Sequence, residues 1–342
     1  GGPQVSAPHP DPRMVESIAS MLASAKRPLV LVGKGAAWAD ATSGLTRLVG
    51  LGIPYVASPM GRGVIADDNP MCMNAARSAA LAGADAVLMV GGRFNWIFQF
   101  GRAPRFATDV RLAQIDIVPE EMTNAADLEF GLVADCAAAS EAISDALTGR
   151  ALATTGRGWA EALRTDAAKN EAAIGEQMAS DRAPINHFRL LREVRDAVPR
   201  DVTISVDAEL TMAVSRAVLP SYNPRSLLNS GTTGCMGTGV PYALGAKLAM
   251  PERPAVAVIG DYAFGAAAIQ DRMFAPDSPP IAALLPVDYE RMGEMVGGFS
   301  ARVTDPAEIR PTLERALNAG KVAVINVITD PKGGSRGSMY LG

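Results

Sequence analysis

Residues 255–270, AVAVIGDYAFGAAAIQ, run an alternating apolar stretch into Gly-Asp and then into an Ala-rich segment. The alternation predicts a strand, and the run beyond Gly265 predicts a helix. A strand closing on Gly260-Asp261 and opening a helix at Tyr262-Ala263 sets free backbone N–H groups beside a carboxylate. That arrangement suits a phosphate and the divalent cation a diphosphate carries, although strand-Gly-Asp-helix is also plain turn chemistry.

A second stretch lies just upstream, NSGTTGCMGTGVPYALGAK at 229–247. Its Gly- and Thr-rich run from Gly231 to Gly239 permits close backbone approach to a flat ligand, and the unbranched Met236 suits a wedge beneath one. A bland loop-to-helix crossover is the alternative. Around these stretches the pattern is INHFRLLREVRDAV (helix), DVTISVDAEL (strand) and AEIRPTLERALNAGKVAVINVITDP (helix, then strand), which makes an α/β unit over 185–342.

The amino-terminal part repeats the theme. PRMVESIASMLASA has helical spacing, and RPLVLVGKGA is a buried strand ending in Gly33-Lys34-Gly35. ATSGLTRLVGLG (helix), IPYVASPMGRG, ADAVLMVGGRF and VRLAQIDIVPE (strands) follow. Strands alternating with helices predict a doubly wound parallel sheet with its ligand crevice at the carboxyl ends of the strands, where Gly33, Gly61, Gly92 and Asp116 fall. The expected organisation is two doubly wound α/β domains, 1–147 and 185–342, joined by a charged, Ala-rich helical connector at 148–184.

Composition narrows the function classes. The 342 residues exceed one ordinary core, and 48% are apolar. A net charge of −4 with scattered Lys and Arg gives no footprint for nucleic acid or anionic lipid. Cys72, Cys136 and Cys235 are odd in number and lack CxxC spacing, which argues against a disulfide framework or zinc site and makes the cytoplasm the expected compartment. No apolar run reaches the length of a membrane span, and the opening GGPQVSAPHPDP reads as a linker rather than a leader. With His9 and His187 the only histidines, a Ser-His-Asp hydrolase is a poor fit.

GTTGCMGTGVPYALGAK followed by GDYAFGAAA resembles the diphosphate-binding domain of thiamine diphosphate enzymes, most closely the 2-hydroxyacyl-CoA lyase and oxalyl-CoA decarboxylase branch. RPLVLVGKGAAWADA, PYVASPMGRGVIADDNP, NAARS, GGRFNWIFQFG and QIDIVPEEM resemble the Rossmann-like middle domain of the same branch. The resemblance implies that Gly234 and Cys235 offer backbone groups to the cofactor's aminopyrimidine and that Met236 bends the cofactor. It implies that Asp261 ligates Mg²⁺ while the N–H groups of Tyr262 and Ala263 meet the diphosphate. In the middle domain it implies that Gly33, Lys34, Gly35, Arg93, Asp116 and Ile117 hold the ADP portion of a nucleotide or of coenzyme A. Arg93 as a surface ion-pair member and Asp116 as a helix cap are the alternative readings, and 94–98 (FNWIF) reads as core packing rather than a substrate wall.

The implied activity is lysis or formation of a 2-hydroxyacyl-CoA, with oxalyl-CoA decarboxylation as the near alternative and a catalytically silent nucleotide- or CoA-binding subunit or fragment as another. The cofactor carries such chemistry, so few histidines suffice. A homodimer or tetramer is implied as well. Departures from the family pattern are Glu209, whose carboxylate would repel the phosphates, and two absences. The activating glutamate has no counterpart in this sequence, and the asparagine pair expected after Gly-Asp is replaced by LLPVDY with Asp288, as though a block were skipped near Gln270–Asp271.

Overall fold

The computed structural model describes residues 6–123, 127–153, 156–260 and 287–331, without the side chains at 156, 157, 209 and 210. They form two compact units, one containing the described residues up to 170 together with Ser221–Leu227, the other Glu171–Pro220 and the described residues from Leu228 to Pro331.

The first unit is built on a parallel sheet of β1 (Pro28–Val32), β2 (Tyr55–Ala57), β3 (Ala86–Val90), β4 (Arg111–Asp116) and β5 (Leu128–Val133), in the order β2-β1-β3-β4-β5. The unbroken apolar runs PLVLV and AVLMV are buried throughout because both faces are covered. Val30, Val32, Leu88 and Val90 face a core shared with α1 (Pro12–Ser24), α3 (Thr42–Gly50) and α5 (Cys136–Leu147). Leu29, Leu31, Val87 and Met89 face another, shared with α4 (Arg77–Gly83) and with Ala160 and Leu163 of α6 (Gly156–Met178). Asp11 and Asp135 cap α1 and α5, accepting from Met14 N–H at 3.3 Å and Ala138 N–H at 3.0 Å. The 2-1-3-4-5 order puts the topological switch between β1 and β3, where the crevice of such a sheet opens.

Two further segments complete this unit. The first half of α6 is a packed element: Trp159 Nε1 donates to the Pro28 carbonyl at 3.2 Å and Asn170 Nδ2 to that of Ala75 at 2.8 Å. Ser221–Leu227 is held by the buried carboxylate of Asp67, which accepts from Ser221 N–H at 2.7 Å, Arg62 Nε at 2.8 Å and Asn74 Nδ2 at 3.0 Å. Arg225 in this segment donates to the Ala37 carbonyl at 3.0 Å and pairs with Asp40 at 2.9 Å.

In the second unit, α7 (His187–Ala197) leads to β6 (Thr203–Asp207), α8 (Glu209–Val218), β7 (Leu227–Leu228), α9 (Gly239–Ala249) and β8 (Ala255–Ile259). The strand order is β7-β6-β8, with β6 and β8 parallel from Thr203↔Ala255 to Asp207↔Ile259. A separate parallel pair, β9 (Phe299–Val303) and β10 (Ala323–Val327), is extended by a bridge from Ile185 to Thr329. Glu193 of α7 is buried among Arg189, Arg192 and Arg310, the last from the helix Ile309–Leu317. Both units are therefore α/β with parallel sheets. No helix among the described residues is long and apolar enough to cross a membrane.

Candidate cofactor and nucleotide sites

At the switch of the first unit the loops leaving β1 and β3 are pressed together. Gly33 N–H donates to the Val90 carbonyl at 2.8 Å and Gly35 N–H to that of Gly91 at 2.6 Å. A Cβ on Gly33 would come within 2.5 Å of three backbone atoms of Gly91 and Gly92. Glycine is needed here so that two backbones can touch.

Lys34 opens the short helix α2 (Lys34–Trp38), is exposed, and makes no ion pair among the described residues. Arg93 is exposed and pairs with Glu121 at 3.1 Å. Asp116 closes β4; it accepts from Val118 N–H at 3.0 Å, and burial raises its pKa above the usual carboxylate value. Ile117 is 58% exposed. Neighbouring strands lie about 4.8 Å apart, so the ends of β1, β3 and β4 bring Gly33, Gly91 and Asp116 to one edge within about 10 Å. The edge thus offers an exposed cation, a paired cation and a half-buried carboxylate that accepts from backbone N–H groups. Within FNWIF, Phe94 and Phe98 are core while Trp96 is 47% exposed.

In the second unit the described site residues gather at the carboxyl ends of β6 and β8. Gly260 N–H donates to the Asp207 carbonyl at 3.3 Å. The buried Asp207 carboxylate accepts from Ala208 N–H and, through its other oxygen, from Gly239 N–H, each at 2.8 Å. This draws the first turn of α9 onto the strand ends, and a Cβ on Gly239 would lie 2.9 Å from Asp207 Cβ. Ala208 holds φ 83° and ψ 146°, a conformation all but reserved for glycine. Glu209 is the departure visible in the sequence, yet Asp207 is the residue that ties the loop down; its signal is a carboxylate at a strand end two dozen residues or more before a Gly-rich helix start.

The loop ahead of α9 stands clear of this anchor. Gly234 and Gly237 have φ of +67° and +86°, and a Cβ on either would meet nothing within 4 Å among the described residues. Cys235 is exposed, as is Met236 at 56%. Thr238 Oγ1 is buried without a hydrogen-bond partner among the described residues. Asp261, Tyr262 and Ala263, and the junction near 270–271, lie outside the described residues. Asp288 is held by Arg302 at 2.9 Å and Arg291 at 3.4 Å, so its carboxylate is already neutralised by two cations. Among the described residues no three acidic, His or Cys side chains gather as a metal site.

The family description "Thiamine pyrophosphate enzyme, central domain" matches residues 15–143, and "Thiamine pyrophosphate enzyme, C-terminal TPP binding domain" matches 208–275. The chain belongs to the thiamine pyrophosphate enzyme family. Over 94% of its length it is 34% identical to a 2-hydroxyacyl-CoA lyase of Oryza sativa subsp. japonica, of which it covers 62%. It is 30% identical to 2-hydroxyacyl-CoA lyase 1 of Homo sapiens, over 92% of this chain and 62% of that protein. Identity to oxalyl-CoA decarboxylase of Escherichia coli (strain K12) is also 30%, over 95% of this chain and 63% of that protein. The chain thus spans just over three-fifths of the length of these relatives.

Proposed function

We propose that the protein is a thiamine diphosphate-dependent carbon–carbon lyase that cleaves a 2-hydroxyacyl-CoA into formyl-CoA and a carbonyl compound, or runs that condensation in reverse. The printed names of the rice and human relatives support the lyase, and the rice identity of 34% exceeds the 30% to oxalyl-CoA decarboxylase. The observation that carries the reading is that one chain holds both an open, left-handed glycine loop at the β6–β8 edge and a glycine crossing flanked by Lys34 and Asp116 at the β1/β3 edge.

The β6–β8 edge fits the cofactor. Among the described residues nothing lies within 4 Å of a Cβ at Gly234 or Gly237, the Met236 thioether is exposed, and the Thr238 hydroxyl lacks a partner. Gly234 and Cys235 would present backbone groups to the aminopyrimidine and Met236 would support the bend. Gly260 brings the chain to the diphosphate, where Asp261 would hold Mg²⁺ and the N–H groups of Tyr262 and Ala263 the phosphate oxygens. Bound thiamine diphosphate supplies the electron sink for breaking the bond between the carbinol carbon and the thioester carbonyl.

At the other edge Lys34 and Arg93 would meet phosphates of coenzyme A, or of ADP alone, beside Gly33 and Gly35. Asp116 would accept a ribose hydroxyl, with Ile117 against the base. The reading includes a homodimer or tetramer and a cytoplasmic setting.

The test supplies the protein with thiamine diphosphate, Mg²⁺ and either 2-hydroxyoctanoyl-CoA or oxalyl-CoA. Formyl-CoA with heptanal is the expected result. Formyl-CoA with CO₂, from oxalyl-CoA alone, would replace the lyase by the decarboxylase. Turnover of neither, with no heat of thiamine diphosphate binding by calorimetry, would leave a silent CoA-binding subunit.

A further inference from the structure

The central strand of the second unit, β6, reads TISVD and is buried at every position. Ile204 and Val206 share one face, while Thr203, Ser205 and Asp207 put three polar side chains on the other. The Thr203 and Ser205 hydroxyls have no hydrogen-bond partner among the described residues. Asp207 differs, because both carboxylate oxygens accept: Oδ1 from Ala208 N–H and Oδ2 from Gly239 N–H.

A carboxylate only 2% exposed is costly unless its charge is met. Among the described residues no Lys or Arg pairs with Asp207, and what meets it is backbone. Ala208 is the residue before α8 and Gly239 is the first of α9, so the carboxylate sits where two helices begin, at their partial positive charges. As the first residue of α9, Gly239 has no acceptor for its N–H within the helix, and Asp207 supplies one. An amide in this place would do half the work, since Asn has one acceptor oxygen and would turn a donor toward the second N–H. The position calls for an acid rather than for any polar residue.

The bond to Gly239 reaches beyond the helix it starts. Gly239 ends the Gly- and Thr-rich run 231–239, inside the segment matched as a TPP binding domain. That run is tied at both ends, by Gly231 N–H donating to Asn229 Oδ1 at 2.9 Å and by Gly239 N–H donating to Asp207 at 2.8 Å. Between the ties, residues 232–237 are exposed, so the loop takes its position from its ends.

We propose that Asp207 is a positioning residue for the cofactor: by holding Gly239 it sets where Gly234, Cys235 and Met236 meet the rings of thiamine diphosphate. The inference rests on the thiamine diphosphate reading above, and in it Asp207 acts through Gly239 rather than on the ligand.

The experiment uses the full chain, with thiamine diphosphate and inorganic diphosphate as probes, each with Mg²⁺, and reads calorimetry and amide hydrogen exchange. Without ligand, Asp207→Asn should speed exchange of the Gly239 amide about tenfold, as expected for loss of one charge-assisted hydrogen bond. The same variant should weaken thiamine diphosphate about tenfold and inorganic diphosphate less than about twofold, because the loop serves the rings. Ser205→Ala, equally buried on the same face, should leave both affinities and the Gly239 amide unchanged, which separates the loop from a general effect on the core. Where Asp207→Asn lowers the melting temperature, adding Ala208→Gly relieves the strain at φ 83° without restoring the bond to Gly239, so the cofactor loss should persist in the double variant. Unchanged exchange and affinity in Asp207→Asn, an equal loss in Ser205→Ala, or wild-type affinity in the double variant would refute the positioning role while the cofactor reading stands. Equal loss of both probes would place the effect at the diphosphate and overturn the assignment to the loop. Failure of the wild type to bind thiamine diphosphate would refute the cofactor reading and the proposal with it.

Discussion

Gly33→Ala tests the β1/β3 crossing most directly. The added methyl would sit within 2.5 Å of backbone atoms of Gly91 and Gly92, none of which can swing aside as a side-chain tip would. Ordinary contact needs about 3.5 Å, so the two loops must part by about 1 Å. Overpacking of this kind costs about 1–3 kcal/mol. Parting the loops also lengthens the bonds from Gly33 to Val90 and from Gly35 to Gly91, each worth about 1 kcal/mol. The expected loss is about 3–4 kcal/mol, which in a domain of this size lowers the melting temperature by roughly 6–15 °C. Thermal melts followed by circular dichroism measure it. Gly50→Ala is the control. It lies in the last turn of α3 with nothing within 4 Å of the new methyl, and should leave stability unchanged or raise it by about 0.5 kcal/mol. A Gly33→Ala melt within a degree of wild type would refute the argument that backbone proximity is why glycine stands there.

Ala208→Gly should raise stability by about 1 kcal/mol, since the strain at φ 83° exceeds the extra entropy glycine brings; a lower urea midpoint would contradict it. Met236→Ala should change the melting temperature little, because the side chain is more than half exposed, yet weaken thiamine diphosphate binding by calorimetry; equal binding would remove Met236 from the site. Glu193→Gln should cost about 3 kcal/mol at neutral pH, the low end for a broken buried pair because Arg192 and Arg310 keep some solvent. Burial pushes the Glu193 carboxyl up, but hydrogen bonds from Arg192, Arg310 and Arg189 outweigh it and hold the pKa below the ordinary 4.5. A lowered carboxylate pKa stabilises the fold above the unfolded value and loses that contribution as pH falls through the folded one. The gap between wild type and Glu193→Gln in urea melts should therefore be constant above about pH 5 and shrink on acidification; a gap that widens in acid would refute the ion cluster.

Much of the first unit is legible in the sequence because β1 and β3 are continuous apolar runs, and a run buried on both faces can only be an inner strand of a covered parallel sheet. β5 is not legible in the same way. LEFGLV alternates, buries fully only Leu132 and lies at the sheet edge, so its signal is that of any half-buried segment. The first half of α6 reads as a solvated connector since charges surround it, yet Trp159, Ala160 and Leu163 give it a narrow stripe that packs on the sheet. Least legible is Ser221–Leu227, whose anchor at Asp67 lies 154 residues upstream, a separation no local pattern encodes.

The glycines at the two sets of strand ends have different duties that their sequence does not separate. In the sequence, Gly33 and Gly234 look alike, each small and each in a loop leading to a helix. In the fold they are opposites. A methyl on Gly33 has no room, since another backbone already fills the space, and its φ is unexceptional at −100°. A methyl on Gly234 meets nothing within 4 Å among the described residues, and the obstacle is the left-handed torsion. Substituting the first disturbs the sheet and reaches a ligand only through it. The second affects the loop's shape while leaving the strands below, where Asp207 fastens Gly239, untouched. Among the described residues no protein atom lies within 4 Å of a Cβ at Gly234 or Gly237, whereas at Gly33 the space is already filled.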